Sequence, residues 1–167
     1  ERWPPVLLWS TDIGEGYSQV TVSNGKVYAA GWASSEDTVF CFDENSTGST
    51  PTELWSASYS CPSVSYEGTR ATPTVDTGGT YVYMFSHNGI LSAFNKDTGA
   101  ESMYSPVTTT WGRNSSWGFA SSVLIEGDLL VVNASAEGVA FNKSDLTKAW
   151  PATTTGSAGY SSPIAYT

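Results

Sequence analysis

The chain has 167 residues, of which 40% are hydrophobic, and its 7 Trp, 9 Tyr and 6 Phe exclude a disordered or fibrous protein. Its net charge of −9, with only 7 Lys and Arg residues, excludes a basic surface for nucleic acid or anionic lipid. No stretch approaches the ~18 to 20 consecutive apolar residues of a membrane span, so we expect no membrane insertion.

Short strands are predicted along the whole chain, because no long window sustains the apolar spacing of a helix. The first strand is LLWS at residues 7–10. A unit of four strands follows over residues 17–56, and its first two strands flank the hairpin dipeptide Asn24-Gly25. The third strand of the unit ends at Asp43, and the fourth contains Trp55.

The same four-strand unit recurs over residues 70–105 and 119–151. Each copy opens with a Ser/Thr-containing strand and ends in a strand with an aromatic residue. A further strand of the opening type is predicted at residues 161–166. The aromatic residues recur at intervals of 46 to 49 residues, at Trp9, Trp55, Tyr104 and Trp150.

A period in the forties with four strands per unit is typical of a β-propeller blade. We therefore predict an all-β fold with about three four-stranded antiparallel blades, extra terminal strands and an incomplete ring. Propellers close with about 4 to 8 blades, and open sheet edges aggregate unless they are covered. Either the chain is part of a larger propeller, or copies complete one another by sharing terminal strands.

The third strand and the turn after it carry a repeated motif, AFNK at residues 93–96 and again at 140–143. The motif resembles the docking motif of the pyrroloquinoline-quinone-like (PQQ-like) β-propeller repeat family, Ala-x-Asp-x-x-Thr-Gly-x-x-x-Trp. In the second unit Met103 takes the Trp position and Tyr104 follows it. The resemblance implies turn-stabilising and blade-docking roles for Asp43, Trp55, Asn95, Gly99, Tyr104, Asn142 and Trp150.

The best-known members of this family are quinoprotein dehydrogenases, which hold PQQ and Ca²⁺ beside a pair of adjacent cysteines. This chain has no adjacent cysteines and no assignable cluster of acidic and Asn ligands. We therefore expect no cofactor. PQQ and Ca²⁺ are expected only if the chain is a fragment of such a dehydrogenase whose cofactor residues lie in other blades.

Other candidate sites have simpler interpretations. Residues 43–48 resemble the first half of a calcium loop, but Leu54 stands at its twelfth position, and the turn of the repeat explains the same residues. Asp12 and Glu15 are the best carboxylate pair for acid–base chemistry, although solvated acids are commoner. No nucleophile elbow, phosphate loop or metalloprotease motif is present, so a non-catalytic protein is favoured.

The two cysteines, Cys41 and Cys61, could form a disulfide or remain buried thiols, and their spacing matches no metal signature. His87 is the only histidine and lies next to a predicted Asn-Gly turn. We expect its side chain to be solvated and without partners for a metal site.

The Ser/Thr-rich, Lys-poor composition favours an extracellular, periplasmic or cell-surface location. Glycosylation sequons are present at Asn45, Asn114, Asn133 and Asn142. Three tryptophans fall outside the docking positions and could line a sugar- or peptide-binding surface, although edge packing explains them as well: Trp32, Trp111 and Trp117.

These observations predict a non-catalytic scaffold that binds other protein chains, foremost copies of itself that complete its open sheet edges, and that assembles into an oligomer or filament. A segment of a PQQ-dependent dehydrogenase and a carbohydrate-binding module remain the alternatives.

Overall fold

A computed structural model describes residues 4–62, 66–107, 117–150 and 156–166. Within these ranges the chain forms twelve strands and no helix, and thus no helix that could cross a lipid bilayer. In chain order they are β1 Thr21–Ser23, β2 Lys26–Ala33, β3 Glu36–Asp43, β4 Glu53–Ser60, β5 Thr74–Val75, β6 Tyr81–Phe85, β7 Ile90–Asn95, β8 Glu101–Pro106, β9 Leu124–Glu126, β10 Leu129–Val132, β11 Val139–Asn142 and β12 Lys148–Trp150.

The strands form three four-stranded antiparallel sheets, β1–β4, β5–β8 and β9–β12, which we call blades 1, 2 and 3. Each sheet is ordered as the chain runs, from an inner first strand to an outer fourth strand. Asn24 and Gly25 have φ values of 51° and 75°, the left-handed pair that a two-residue hairpin requires. The predicted all-β fold with three such blades is confirmed.

All three blades share one irregularity, a register shift between the third and fourth strands. It falls at Cys41/Phe42, Ala93/Phe94 and Ala140/Phe141. The residues that pair with the first member of each couple are Trp55, Met103 and Trp150, so these three residues are structurally equivalent.

The blades pack face to face around one apolar core. Alternate residues of β2 point to opposite sides, and Tyr28, Ala30 and Trp32 join the core shared with blades 2 and 3. On the other side, Val27 and Ala29 pack with the N-terminal segment through Trp9 and Ile13. The N-terminal segment therefore lies on the free face of blade 1.

Two segments lie outside the blades at the chain's ends. Residues 7–10 and 161–166, predicted as terminal strands, form no strand ladder within this chain. Large exposed side chains concentrate there: Leu7 is 79% exposed, Leu8 74%, Ile164 86% and Tyr166 96%. The apolar character of these segments is thus largely unburied.

Candidate functional site

Blade 1 docks on blade 2 through Trp55 and Gly99. Trp55 is only 7% exposed, and its Nε1 donates a hydrogen bond to the Lys96 carbonyl at 3.1 Å. Gly99 has a φ of 73°, and a Cβ added to it would lie 2.6 Å from Cε3 of Trp55. The indole therefore covers the α-carbon of Gly99, where no larger residue fits without a shift.

The turn that receives Trp55 is fixed by Asn95. Its Oδ1 accepts hydrogen bonds from the backbone N–H groups of Asp97 at 2.9 Å and Thr98 at 3.1 Å. Lys26 of blade 1 forms an ion pair with Asp97 at 2.6 Å. We call this turn, between the third and fourth strands of a blade, the docking turn.

Between blades 2 and 3 the positions equivalent to Trp55 and Gly99 hold different residues. Met103 occupies the position of Trp55 and packs against the core, whereas Tyr104 is 54% exposed. Leu146 takes the place of Gly99, with a φ of 56° and 2% exposure. An aromatic ring over glycine is thus replaced by two aliphatic side chains, and the structure does not place Tyr104 in a docking position.

The outer edge of blade 3 presents the docking position without a neighbour. Trp150 is equivalent to Trp55 in register, yet it is 48% exposed because no blade follows it among the described residues. In the docking turn of blade 3, Asn142 donates from its amide to Thr147 Oγ1 at 2.9 Å. Asn142 therefore has a turn-stabilising contact and Trp150 has no docking turn to cover.

Blade 1 presents the opposite situation, a docking turn without a fully docked aromatic residue. Gly48 has a φ of 109°, and a Cβ added to it would meet nothing within 4 Å. Asp43 N–H bonds the Thr52 carbonyl where Asn95 N–H bonds that of Ala100, so this turn is four residues longer, and Gly48 is its positive-φ glycine. The ring of Trp9 lies 6.1 Å from that of Phe42, and Ser10 N–H bonds the Ser49 carbonyl, so the N-terminal segment lies beside this turn.

A second repeated contact joins the inner strands. The backbone N–H of Gln19 donates to Thr72 Oγ1 at 3.0 Å, that of Thr72 to Ser122 Oγ at 2.9 Å, and that of Ser122 to Ser162 Oγ at 2.9 Å. The C-terminal segment thus occupies the place of a fourth inner strand. The series ends at Ser162, whose own N–H has no acceptor among the described residues.

An aromatic cavity of about 450 Å³ opens where the inner strands begin. Four of its lining residues directly precede the inner segments of the chain, namely Tyr17, Arg70, Ala120 and Tyr160. The other two are aromatic residues of the neighbouring loops, Tyr66 and Trp117. Trp117 stacks on Tyr160 with ring centroids 5.5 Å apart, and Arg70 lies over the ring of Tyr17. The cavity offers aromatic faces and one cation at the mouth of the central channel.

The other carboxylates predicted as candidate sites are used in turns. Asp43 Oδ1 accepts the Asn45 backbone N–H at 2.9 Å, and Asp12 Oδ1 accepts the Gly14 N–H at 2.9 Å. Glu15 pairs through its backbone with Trp32. These contacts favour the turn over a calcium loop at residues 43–48 and give Asp12 a local structural role.

Both cysteines are free and buried. Cys41 lies on β3 opposite Trp55, whereas the backbone N–H of Cys61 donates to the carbonyl of Ser35, just before β3 begins. Ser35 and Cys41 are six residues apart along the strand, which at about 3.3 Å per residue is about 20 Å. The two cysteines are therefore too far apart for a disulfide.

His87 was expected to be solvated, and this expectation is wrong, because its side chain is fully buried beside Asp37 and Cys61. When the blades are aligned on their second strands, His87 is equivalent to Trp32 in blade 1 and to Ser135 in blade 3. All three residues are buried. Aligning the repeats on their second strands would have predicted this burial.

The remaining predicted positions are glycosylation sequons and tryptophans, and they differ in exposure. Asn45 is exposed, whereas Asn133 donates its amide to the Ser161 carbonyl at 3.1 Å. Trp32 is buried and donates to the Cys61 carbonyl at 2.7 Å. Asn114 and Trp111 lie outside the described residues.

Several solved structures share this fold, and three of them are compared with the chain below. BamB from Moraxella catarrhalis superposes with a TM-score of 0.62 at 15% identity, over 86% of this chain and 41% of that one. A europium-containing methanol dehydrogenase gives 0.65 at 17% identity, over 87% of this chain and 26% of that one. Quinohemoprotein alcohol dehydrogenase from Comamonas testosteroni gives 0.60 at 16% identity, over 87% and 22%.

These likenesses establish the fold, and the chain spans less than half the length of each of these proteins. Comparison with curated proteins gave no match. The family model described as outer membrane protein assembly factor BamB matches residues 6–166, nearly the whole sequence. The chain therefore belongs to this family of PQQ-like β-propeller proteins.

Proposed function

We propose that this chain is a non-catalytic, extracytoplasmic propeller scaffold that binds other protein chains through its open blade edges, foremost a second copy of itself. The observation that supports this proposal is the contrast between Trp55 and Trp150. The first is buried against the docking turn of blade 2, and the second is 48% exposed at the edge of blade 3. The family match to an outer membrane assembly factor agrees with a protein-binding role outside the cytoplasm.

The two edges of the molecule complement each other. One edge has an aromatic residue without a docking turn, Trp150, and the other has a docking turn whose Gly48 has open space above it. In a head-to-tail pair, Trp150 of one copy covers Gly48 of the next after the N-terminal segment, whose Trp9 and Ser10 lie beside that turn, moves aside. Gln19 stands at the position in the repeat where the other blades have the hydroxyl acceptors. In the pair, its side-chain oxygen would accept a hydrogen bond from the backbone N–H of Ser162 of the other copy. If the C-terminal segment moves aside, the donor is the N–H of Ser122.

This arrangement has a defined size. The described residues of each copy supply three blades, so these parts of two copies supply six, within the range of about 4 to 8 that closes a ring. If the rotation between copies does not close, the same heterologous contact builds a filament.

The test is sedimentation velocity of the chain over a wide concentration range. We expect concentration-dependent oligomers that Trp150→Ala weakens by about 30-fold in Kd, since a buried interface Trp contributes about 2 kcal/mol or more. Tyr104→Ala is the matched control, because Tyr104 lies on an outer strand with 54% exposure. A wild-type chain that stays monomeric, or an equal loss in the control, would overturn the self-association.

A mixing experiment sharpens the test. Trp150→Ala removes the docking residue but keeps the turn, and Gly48→Val fills the turn but keeps Trp150. Each variant alone should be monomeric, whereas an equimolar mixture should form heterodimers through the one intact contact. A mixture that remains monomeric while wild type associates would show that these two positions do not meet.

The residues that line the aromatic cavity do not support the dehydrogenase alternative. PQQ is a tricarboxylate, and the described residues contribute one cation to the cavity's lining, Arg70, whose guanidinium already donates to the carbonyls of Gly68 and Tyr66. These same lining residues include no carboxylate or Asn that could hold Ca²⁺. The residues described here therefore do not fit the quinone, and saturable quenching of tryptophan fluorescence by PQQ would reverse this conclusion.

The carbohydrate-binding alternative depends on free aromatic faces. Trp117 is 50% exposed, but Tyr160 stacks on its ring and Tyr66 meets it edge-on at 5.9 Å. Its ring is thus used in packing between loops, which favours the interpretation as edge packing over a sugar platform.

A further inference from the structure

A buried cluster of three metal-ligating side chains lies between blades 1 and 2. Asp37 lies near the start of β3, and Cys61 directly follows β4, so both belong to blade 1. His87 follows β6 of blade 2, so the cluster joins the two blades. One ligand atom from each lies within 4.8 Å of the other two, and all three side chains are fully buried. From this geometry we propose a binding site for a single zinc-like divalent cation, held by Asp37, Cys61 and His87.

An unpartnered atom in the cluster supports a missing ligand. Among the described residues, Asp37 Oδ1 is buried without a hydrogen-bond partner, while Oδ2 accepts a bond from the Tyr59 hydroxyl at 3.1 Å. A buried carboxylate oxygen without a partner is destabilising, and a cation removes that cost.

The histidine is oriented as metal ligands usually are. Nε2 of His87 lies 3.1 Å from the Pro62 carbonyl, which leaves Nδ1 with its lone pair if Nε2 carries the proton. Cys61 Sγ lies 3.7 Å from that Nδ1 and 3.6 Å from Nε2. Tetrahedral zinc with bonds of about 2.3 Å to sulfur and about 2.0 Å to nitrogen separates the two atoms by about 3.6 Å, so the sulfur–nitrogen distance fits a shared cation once the imidazole turns its Nδ1 lone pair toward it.

The position of Cys61 is fixed by its neighbours. Trp32 Nε1 donates to the Cys61 carbonyl at 2.7 Å, and the Asn88 amide donates to the Pro62 carbonyl at 2.8 Å. Burial raises the pKa of the Cys61 thiol and of the Asp37 carboxyl and lowers that of His87. A cation reverses the first effect, because it binds the thiolate after the thiol proton passes to solvent.

The donor set selects the metal class. Nitrogen, thiolate and one carboxylate oxygen suit Zn²⁺ and its substitute Co²⁺, whereas Ca²⁺ and Mg²⁺ require oxygen ligands throughout. The described residues supply three ligands, which leaves the fourth tetrahedral position for one further ligand. Because the three side chains are buried and come from two blades, the cation would act as a structural clamp between those blades.

The experiment is titration of the metal-free chain with Co²⁺, monitored by the thiolate-to-metal charge-transfer band and confirmed by elemental analysis after Zn²⁺ exchange. We expect one metal per chain, no competition from Ca²⁺ or Mg²⁺, and loss of the band in Cys61→Ser. Cys41→Ser is the matched control, because Cys41 is an equally buried thiol that is not part of this ligand cluster. Tyr59→Phe should weaken binding about tenfold to 100-fold by releasing the carboxylate.

The result on the wild-type chain decides even if a variant fails to fold. Substoichiometric metal, absence of the charge-transfer band, or equal loss in Cys41→Ser and Cys61→Ser would overturn the site. One tightly bound Zn²⁺ that raises the melting temperature of wild type and of Cys41→Ser, but not of Asp37→Asn, would support it.

Discussion

The docking of Trp55 on Gly99 gives a quantitative prediction for the blade interface. Gly99→Ala places a methyl group 2.6 Å from the indole of Trp55 at a φ of 73°. Left-handed backbone costs an L-residue about 1–2 kcal/mol, and overpacking adds about 1–3 kcal/mol. We expect the free energy of unfolding to fall by about 2–5 kcal/mol.

The control separates these two contributions. Gly127 has a φ of 57° and open space around its α-carbon, so Gly127→Ala should cost the backbone strain alone, about 1–2 kcal/mol. Urea unfolding followed by far-ultraviolet circular dichroism measures both variants. In a Trp55→Met background, which imitates Met103 opposite Leu146, the difference between the two variants should disappear. Equal destabilisation of Gly99→Ala and Gly127→Ala in the wild-type background would refute the docking argument.

Two further predictions follow from buried and bonded side chains. Burial raises the pKa of the Cys41 thiol to about 11, whereas the thiol of the unfolded chain loses its proton from about pH 8.5. The free energy of unfolding should therefore fall as the pH rises from about 8.5 toward 11. Cys41→Ala should make this fall shallower by about 1.4 kcal/mol per pH unit. In a glycosylating host, peptide mapping should find glycan at Asn45 but not at Asn133 or Asn142, whose amides donate to Ser161 and Thr147; full occupancy at either of the latter would contradict these hydrogen bonds.

The repeat was predictable from the sequence because its signals are local. Asn24-Gly25 defines a hairpin by itself, and the spacing of aromatic residues depends only on the length of one blade. The spacing of aromatic residues alone pointed to Tyr104 as the docking residue of blade 2, although the spacing of the docking motif puts Met103 at the Trp position. The register shift at Ala93/Phe94 pairs Ala93 with Met103, which turns Tyr104 to the solvent. An irregularity of one residue moves a side chain to the opposite face, and no residue type marks it in the sequence.

The metal cluster was missed for a different reason. Its three residues come from a third strand, the segment after a fourth strand and the segment after a second strand of two different blades, at sequence separations that match no metal signature. Only the packing of blade 1 on blade 2 brings them together. His87 looked solvated because the turn after it is polar, yet the repeat position it shares with Trp32 is part of the core.

The repeat also argues that Asp37 is not needed for the fold. The equivalent positions, counted from the paired residues of the third strand, are Gly89 in blade 2 and Ala136 in blade 3, so a blade forms without a carboxylate there. An orphaned buried oxygen costs about 1–3 kcal/mol, a large part of the stability of a domain of this size. A carboxylate that the architecture does not require, held at such a cost beside a thiol and an imidazole, is most simply explained by a cation that all three bind.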